Sequence, residues 1–264
     1  MLNIYKRFWQ VNWAEQWQYR ANLMMYLAYG LVSPITYLAV WSAIADAQGN
    51  VNGLTSANFA AYYLTLLPVD ILTTCITIYY LAYKIQDGTL SNELLQPVHP
   101  ILTNTLVNNL AFKILQTMIF VPIWIALVLL FRPTFTYTWQ SLLLSAPAIG
   151  MGFFIRFLLE STLTLIAFWT TRVWAIYHFD TAVSMLLNGA FVPLVLLPAW
   201  AQTMAHLLPY QLTLSFPILL LLNQLPLEQI LLNYGLQVFW LIVLYGLFNF
   251  VWRQAIKQFS AVGA

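Results

Sequence analysis

Few side chains in this sequence ionise, and those embedded in apolar stretches are the ones placed to do chemistry. Asp70 lies within an apolar run from about 58 to 83, two residues after Pro68. Arg156 and Glu160 stand four residues apart in another such run, a spacing that puts them on one helix face and lets them pair. Charge in hydrocarbon is costly, so these three residues are candidates for holding or moving a polar solute. The Arg156–Glu160 spacing admits two readings, an ion pair that locks a bundle or a contact to substrate. For Asp70 no partner is evident in the sequence, and Cys75 reads as a small buried residue.

Hydrolytic or metal chemistry has much less footing. No G-x-x-x-x-G-K-[ST] pattern occurs and none of the four lysines follows a glycine, so the chain has no phosphate-binding loop of its own. H-E-x-x-H, C-x-x-C and G-x-S-x-G are also missing. His99, His178 and His206 are scattered, which argues against a shared metal site. His178 and Asp180 are two residues apart and would not face each other on a helix, so they read as a solvated turn. No catalytic residue, metal site or cofactor is assigned to the chain.

What must position the candidates is a membrane bundle. Of the 264 residues 61% are hydrophobic and 7% charged, against roughly 45–50% and about 25% in average globular domains. Such a surface cannot be kept in water. The apolar runs are long and continuous rather than short and alternating, which excludes a β-barrel and leaves helices. About twenty apolar residues cross a bilayer. Six runs qualify: 21–44, 58–83, 111–130, and stretches within 141–169, 181–200 and 229–252. The fold expected is all-α and polytopic, a single transmembrane domain over 1–264. Lys113 stands close enough to one end of the third run to reach the headgroups. The fourth run is too long: 138–172 as continuous helix measures about 50 Å against about 30 Å of hydrocarbon. It either extends past the bilayer or breaks at Pro147, Gly150 and Gly152.

With the N-terminus inside, the inner segments carry Lys6, Arg7, Arg20, Lys84, Arg172, Arg253 and Lys257, and the outer loops only Arg132. The asymmetry places both termini in the cytoplasm. The first apolar run is too long for a cleaved leader.

Three stretches outside the runs stand out. In 1–20, Trp9, Trp13 and Trp17 recur every four residues on one face of a helix, with Tyr5 and Phe8 nearby, as in a helix lying in the membrane interface. A passive anchor fits that pattern equally. In 84–100, Asp87-Gly88 marks a turn and Ser91 to Leu95 a short helix ending before Pro97. Leu90, Leu94 and Leu95 would form its apolar face, suited to docking on a partner or to packing back on the bundle. The outer stretch 201–230 has no Lys or Arg and is rich in leucine, proline and aromatics, so it reads as broken helices dipping into the outer leaflet, at a pathway mouth.

Asp87-Gly88-Thr89-Leu90, Leu94-Leu95-Gln96-Pro97 and Pro100 resemble the signature loop of the type-2 ATP-binding-cassette (ABC) exporter permeases, in particular a bacterial branch of them. Gly189, Pro193, Pro198 and Trp200, then Leu208-Pro209-Tyr210 and Phe216-Pro217, are similar to that branch's fifth helix and re-entrant outer segment. The likeness covers nearly the whole chain. Gln86 departs from it, since relatives often carry a basic residue there.

The resemblance implies two six-helix permease subunits, identical or paralogous, joined to a pair of cytoplasmic ABC ATPase subunits in a bacterial inner membrane. ATP and Mg would sit on the ATPase, and no nucleic acid is implied. The interface helix and the loop with Asp87, Gly88, Leu90, Leu94, Leu95 and Pro97 would contact the ATPase. The second and fifth helices would line the route, bringing Asp70 and Asn188 to it beside Arg156 and Glu160. The expected function is outward transport of an amphiphile driven by ATP turnover on the partner. Two acids at membrane depth and 16% aromatic residues would suit a cationic or aromatic cargo; a lipid or glycan fits the family as well. The rival readings are an intramembrane lipid-modifying enzyme and an ATP-independent channel or carrier.

Overall fold

The computed structural model describes residues 2–258, apart from the side chains of 2–5 and 8; Tyr5 and Phe8 therefore lie outside the described side chains. The described residues form twelve α-helices: α1 (Leu2–Gln18), α2 (Arg20–Gln48), α3 (Ser56–Thr73), α4 (Thr77–Gln86), α5 (Leu90–Leu94), α6 (Leu106–Phe131), α7 (Trp139–Thr164), α8 (Val173–Leu187), α9 (Ala199–Leu207), α10 (Tyr210–Thr213), α11 (Ser215–Leu221) and α12 (Leu227–Gln258). A wide π-helical turn, Pro100–Thr105, leads into α6, and a tight 3-10 turn, Leu165–Phe168, extends α7. Among the described residues five helical stretches are long and apolar enough to cross a membrane: Arg20–Gln48, Ser56–Gln86, Pro100–Phe131, Trp139–Phe168 and Leu227–Gln258. Val173–Leu187 is apolar but shorter, with 15 residues, or about 22 Å of rise.

Local sequence explains several boundaries. Thr55 and Asn58 form a reciprocal cap at the start of α3, and Thr138 and Ser141 do the same for α7, each satisfying amides the first helical turn leaves free. The second run continues as helix past Pro68, which sits inside α3. It breaks at 74–76, after a Thr73-Thr74 pair with low helix preference. The fourth run is unbroken at Pro147, Gly150 and Gly152 and ends only at Phe168. Gly152 serves a close approach instead: a Cβ there would stand 3.2 Å from the Thr213 Cα. The fifth helix begins earlier than the expected 181–200 and stops at Asn188-Gly189.

α3 and α7 form the centre of the bundle. Tyr63, Phe59 and Leu64 of α3 are fully enclosed, packed on α2, α6 and α11. A second core joins Ile78 and Leu81 of α4 to Phe157 of α7 and Phe248 of α12. The 209–222 stretch packs into the bundle against α3 and α7 and is almost wholly buried. Gln237 of α12 ties it down, its Nε2 donating to the carbonyls of Leu212 and Ala148, both at 2.9 Å.

Candidate functional site

Asp70, Arg156, Glu160 and Asn188 all line one cavity of about 370 Å³ between α2, α3, α4, α7, α8 and α10. Their connections differ from the expected ones. Arg156 Nη1 donates to Asp70 Oδ1 at 2.9 Å, so Asp70 has a partner and Arg156 does not pair with Glu160. Glu160 takes a different partner: its Oε1 accepts from the Ile78 amide of α4 at 3.0 Å. An i, i+4 spacing allows contact within a helix, but partners on neighbouring helices took both side chains.

The break at 74–76 is the reason. Interrupting a helix frees carbonyls at one end and amides at the other, and buried groups of that kind need partners. Lys113 of α6 meets the carbonyls, its Nζ donating to Ile71 O at 3.1 Å and to Thr74 O. Asn109 Oδ1 accepts from the Ile76 amide at 2.9 Å and Glu160 from that of Ile78. The cation sits at the C-terminal end of α3 and the carboxylate at the N-terminal end of α4, as the helix dipoles favour. Lys113 therefore does not reach toward headgroups. It is 6% exposed and lies 4.9 Å from the centre of the Phe153 ring.

Asn188 closes α8. Its Oδ1 accepts from the Ala190 amide at 2.8 Å, and its backbone carbonyl from the Ser215 amide at 3.1 Å. Gly189 follows with φ +87°, and a Cβ on it would fall 2.5 Å from the Tyr62 hydroxyl. That hydroxyl donates to Gly189 O at 2.9 Å, while Tyr63 and Trp41 donate to Phe191 O at 2.8 and 3.2 Å. Three aromatic donors from α2 and α3 thus brace the turn beside the cavity.

In the loop, Asp87 Oδ1 accepts from the Thr89 amide and hydroxyl at 3.0 and 2.7 Å, which holds its carboxyl below the usual carboxylate range. Gly88, at φ +78°, turns the chain into α5. The expected leucine face is split. Leu90 is 0% exposed and Leu94 packs on the same core, whereas Leu95 is 87% exposed and Pro97 is exposed beside it. Leu90 is thus a core residue, and Leu95 and Pro97 present the free surface. Within α5, Glu93 Oε1 accepts from Lys84 Nζ at 2.6 Å and from Asn104 Nδ2 at 2.7 Å.

The same junction holds α1. Asn12 Nδ2 donates to Asn104 Oδ1 at 3.4 Å, Asn108 Nδ2 to Asn12 Oδ1 at 2.8 Å, and Gln16 Nε2 to the Tyr80 hydroxyl at 3.3 Å. Asn12 and Gln16 are the inward face. Trp9 and Trp13 stack beside it with centroids 6.1 Å apart, and Trp17 is exposed.

Residues 31–263 match the family described as ABC-2 family transporter protein. The chain belongs to the ABC-2 transporter family. No curated protein and no solved structure matches it. Membership makes the chain the membrane permease component of an ABC transporter, a multi-pass protein of a kind that works with an ATPase partner. The matched span takes in every cavity residue from α3 to α10 and the loop after α4, while α1 precedes it.

For this ABC-2 chain, sequence reasoning missed several residues. Asp180 and His178 are no solvated turn: both lie inside α8 and line the cavity, with Asp180 Oδ1 accepting from the Tyr210 hydroxyl at 2.6 Å. Lys113 and Asn109 were legible as a pattern, since Asn109, Lys113 and Gln116 fall at i, i+4 and i+7, a polar stripe along an otherwise apolar helix. The Asn12–Asn104–Glu93–Lys84 chain joins four separate segments, and no local spacing announces it.

Proposed function

We propose that this permease couples ATP turnover on a cytoplasmic ABC ATPase pair to the outward movement of an amphiphile, working beside a second permease subunit, identical or paralogous. The observation that carries the reading is the meeting of Asp70, Arg156, Glu160 and Asn188 around one cavity, beside a crossing that is broken in mid-course. Six crossings fit the positive-inside bias, with α3 and α4 as the second and with α8 plus the irregular stretch 188–198 as the fifth. Both termini are then cytoplasmic in a bacterial inner membrane, α1 lies in the inner interface, and 201–230 re-enters from outside.

On this topology the cavity runs from the cytoplasmic half, where Tyr26, Glu160 and Tyr177 line it, through mid-membrane at Asp70 to Asn188 at the outer end of α8. A site that loads from the inner side suits export.

α4 is the lever. Its ten residues make a rod of about 15 Å. One end is fixed through Lys84 to Glu93 of α5, and the other rests its Ile78 amide on Glu160 at the cavity. Closure of the ATPase pair against Leu95, Pro97 and α1 would press on the Asn12–Asn104–Glu93–Lys84 junction. The rod would pass the displacement to the break at 74–76, where Lys113, Asn109 and Glu160 hold flanking backbone groups that the interrupted helix leaves free. Purification of the tagged chain from its native membrane tests the reading: an ABC ATPase should accompany it in a stable complex, and a chain that purifies alone from intact membranes would contradict it.

A further inference from the structure

The charges around the cavity are not equally committed. Arg156 is taken by Asp70, and Glu160 holds the start of α4. Asp180 lines the same space and accepts a hydrogen bond from a neutral group, the Tyr210 hydroxyl. Among the described residues no cation forms an ion pair with it. His178, two residues before it, also lines the cavity but makes no salt bridge and does not share its helix face. Arg156 is close enough to act on Asp180 electrostatically but is bonded to Asp70, so Asp180 is a partly buried carboxylate with no cation of its own, an arrangement that favours a further cation.

The walls point the same way. Tyr26, Tyr79, Tyr177 and Tyr210 line the space, and the rings of Tyr79 and Tyr177 meet edge to face at 6.2 Å. Aromatic faces attract cations, more strongly where water is scarce. The volume of about 370 Å³ falls in the range of small-molecule pockets. A neutral or anionic amphiphile would gain no ion pair from Asp180. Asp70, the acid first suspected of this role, is already neutralised by Arg156.

We propose that Asp180 is the counter-ion for an organic cation, an ammonium or phosphonium centre carrying apolar groups, held against the tyrosine wall of the cavity. The inference rests on the reading of this cavity as the cargo site of the exporter. The test uses the permease–ATPase complex in nanodiscs of uncharged lipid and measures equilibrium binding of radiolabelled tetraphenylphosphonium. Saturable binding is expected, weakened about tenfold or more by Asp180→Asn and retained by Asp180→Glu. The uncharged analogue triphenylphosphine oxide should compete equally against both proteins. Should Asp180→Asn fail to assemble, Tyr177→Leu and Tyr177→Phe decide: the first should weaken binding and the second preserve it. Unchanged binding by Asp180→Asn, or no saturable binding by a complex that assembles and hydrolyses ATP, would overturn the cation assignment while leaving the exporter reading intact. If no ATPase complex forms at all, the exporter reading fails and takes this inference with it.

Discussion

Arg156 on α7 reaches Asp70 on α3 across 86 residues of sequence, with 2.9 Å between Nη1 and Oδ1. The two side chains keep 25% and 38% of their surface exposed toward the cavity. Their pairing lies between the exposed and buried limits, so removing one partner should cost about 2 kcal/mol. Asp70→Asn and Arg156→Gln should each lower Tm in detergent. The double variant should cost less than the two singles added together, since each single strands a charge that the double removes. Simple additivity would mean that the contact contributes nothing to the fold.

Lys113→Met should be more severe. It keeps an unbranched side chain but leaves the Ile71 and Thr74 carbonyls at the break without their donor. A buried polar group stripped of its partner costs about 1–3 kcal/mol, so a loss of about 2–6 kcal/mol is expected for the two. Thermal unfolding measures it. A Tm equal to that of the unaltered protein would show that the break does not depend on this lysine.

Much of the bundle was legible in the sequence because lipid imposes a strong rule. Five of the six apolar runs lie in long helical stretches among the described residues, and the three charged residues suspected at membrane depth line one cavity together with Asn188, which the resemblance had brought to the route. The pairings were not legible. Arg156 had a permitted partner four residues away, yet Glu160 was claimed by an amide that became available only because α3 and α4 part at 74–76. Lys113 looked like a headgroup anchor because its depth was judged from distance along the chain, whereas its surroundings come from α3 and α7. Leu90 and Leu95 looked equivalent in composition, and only the turn at Gly88 decides which of them faces the core.

That split gives the next expectation. Leu95→Asp places a charge on an exposed residue and should change stability by no more than about 0.5 kcal/mol, while ATPase recovered with the purified chain falls several-fold. Leu90→Ala removes a fully buried side chain and should cost about 2–5 kcal/mol. Pull-down and thermal unfolding of both variants separate the roles. Normal ATPase recovery with Leu95→Asp would remove Leu95 from the contact surface.

His99 should make stability sensitive to mild acid. Its Nδ1 accepts from the amides of Ile101 and Leu102, both at 3.3 Å, and its ring lies 4.8 Å from that of Trp252. Burial holds its pKa below the usual histidine value. The folded state therefore favours the neutral ring, and the contribution is fully present above about pH 6.5. It declines as pH falls below that value, because the unfolded chain binds the proton more readily. His99→Asn keeps a capping oxygen without titrating there and should flatten this part of the Tm–pH curve. A curve of the same slope in that variant would assign the acid sensitivity elsewhere.

The dependence on an outside motor is tested most directly by ATP-driven transport in proteoliposomes, prepared either with this chain alone or with the ATPase that accompanies it from the membrane. Amphiphile should move, from the side bearing the ATPase to the other, only when both components and ATP are present. Uphill movement by the chain alone on addition of ATP, or undiminished movement by the pair without ATP, would contradict the account.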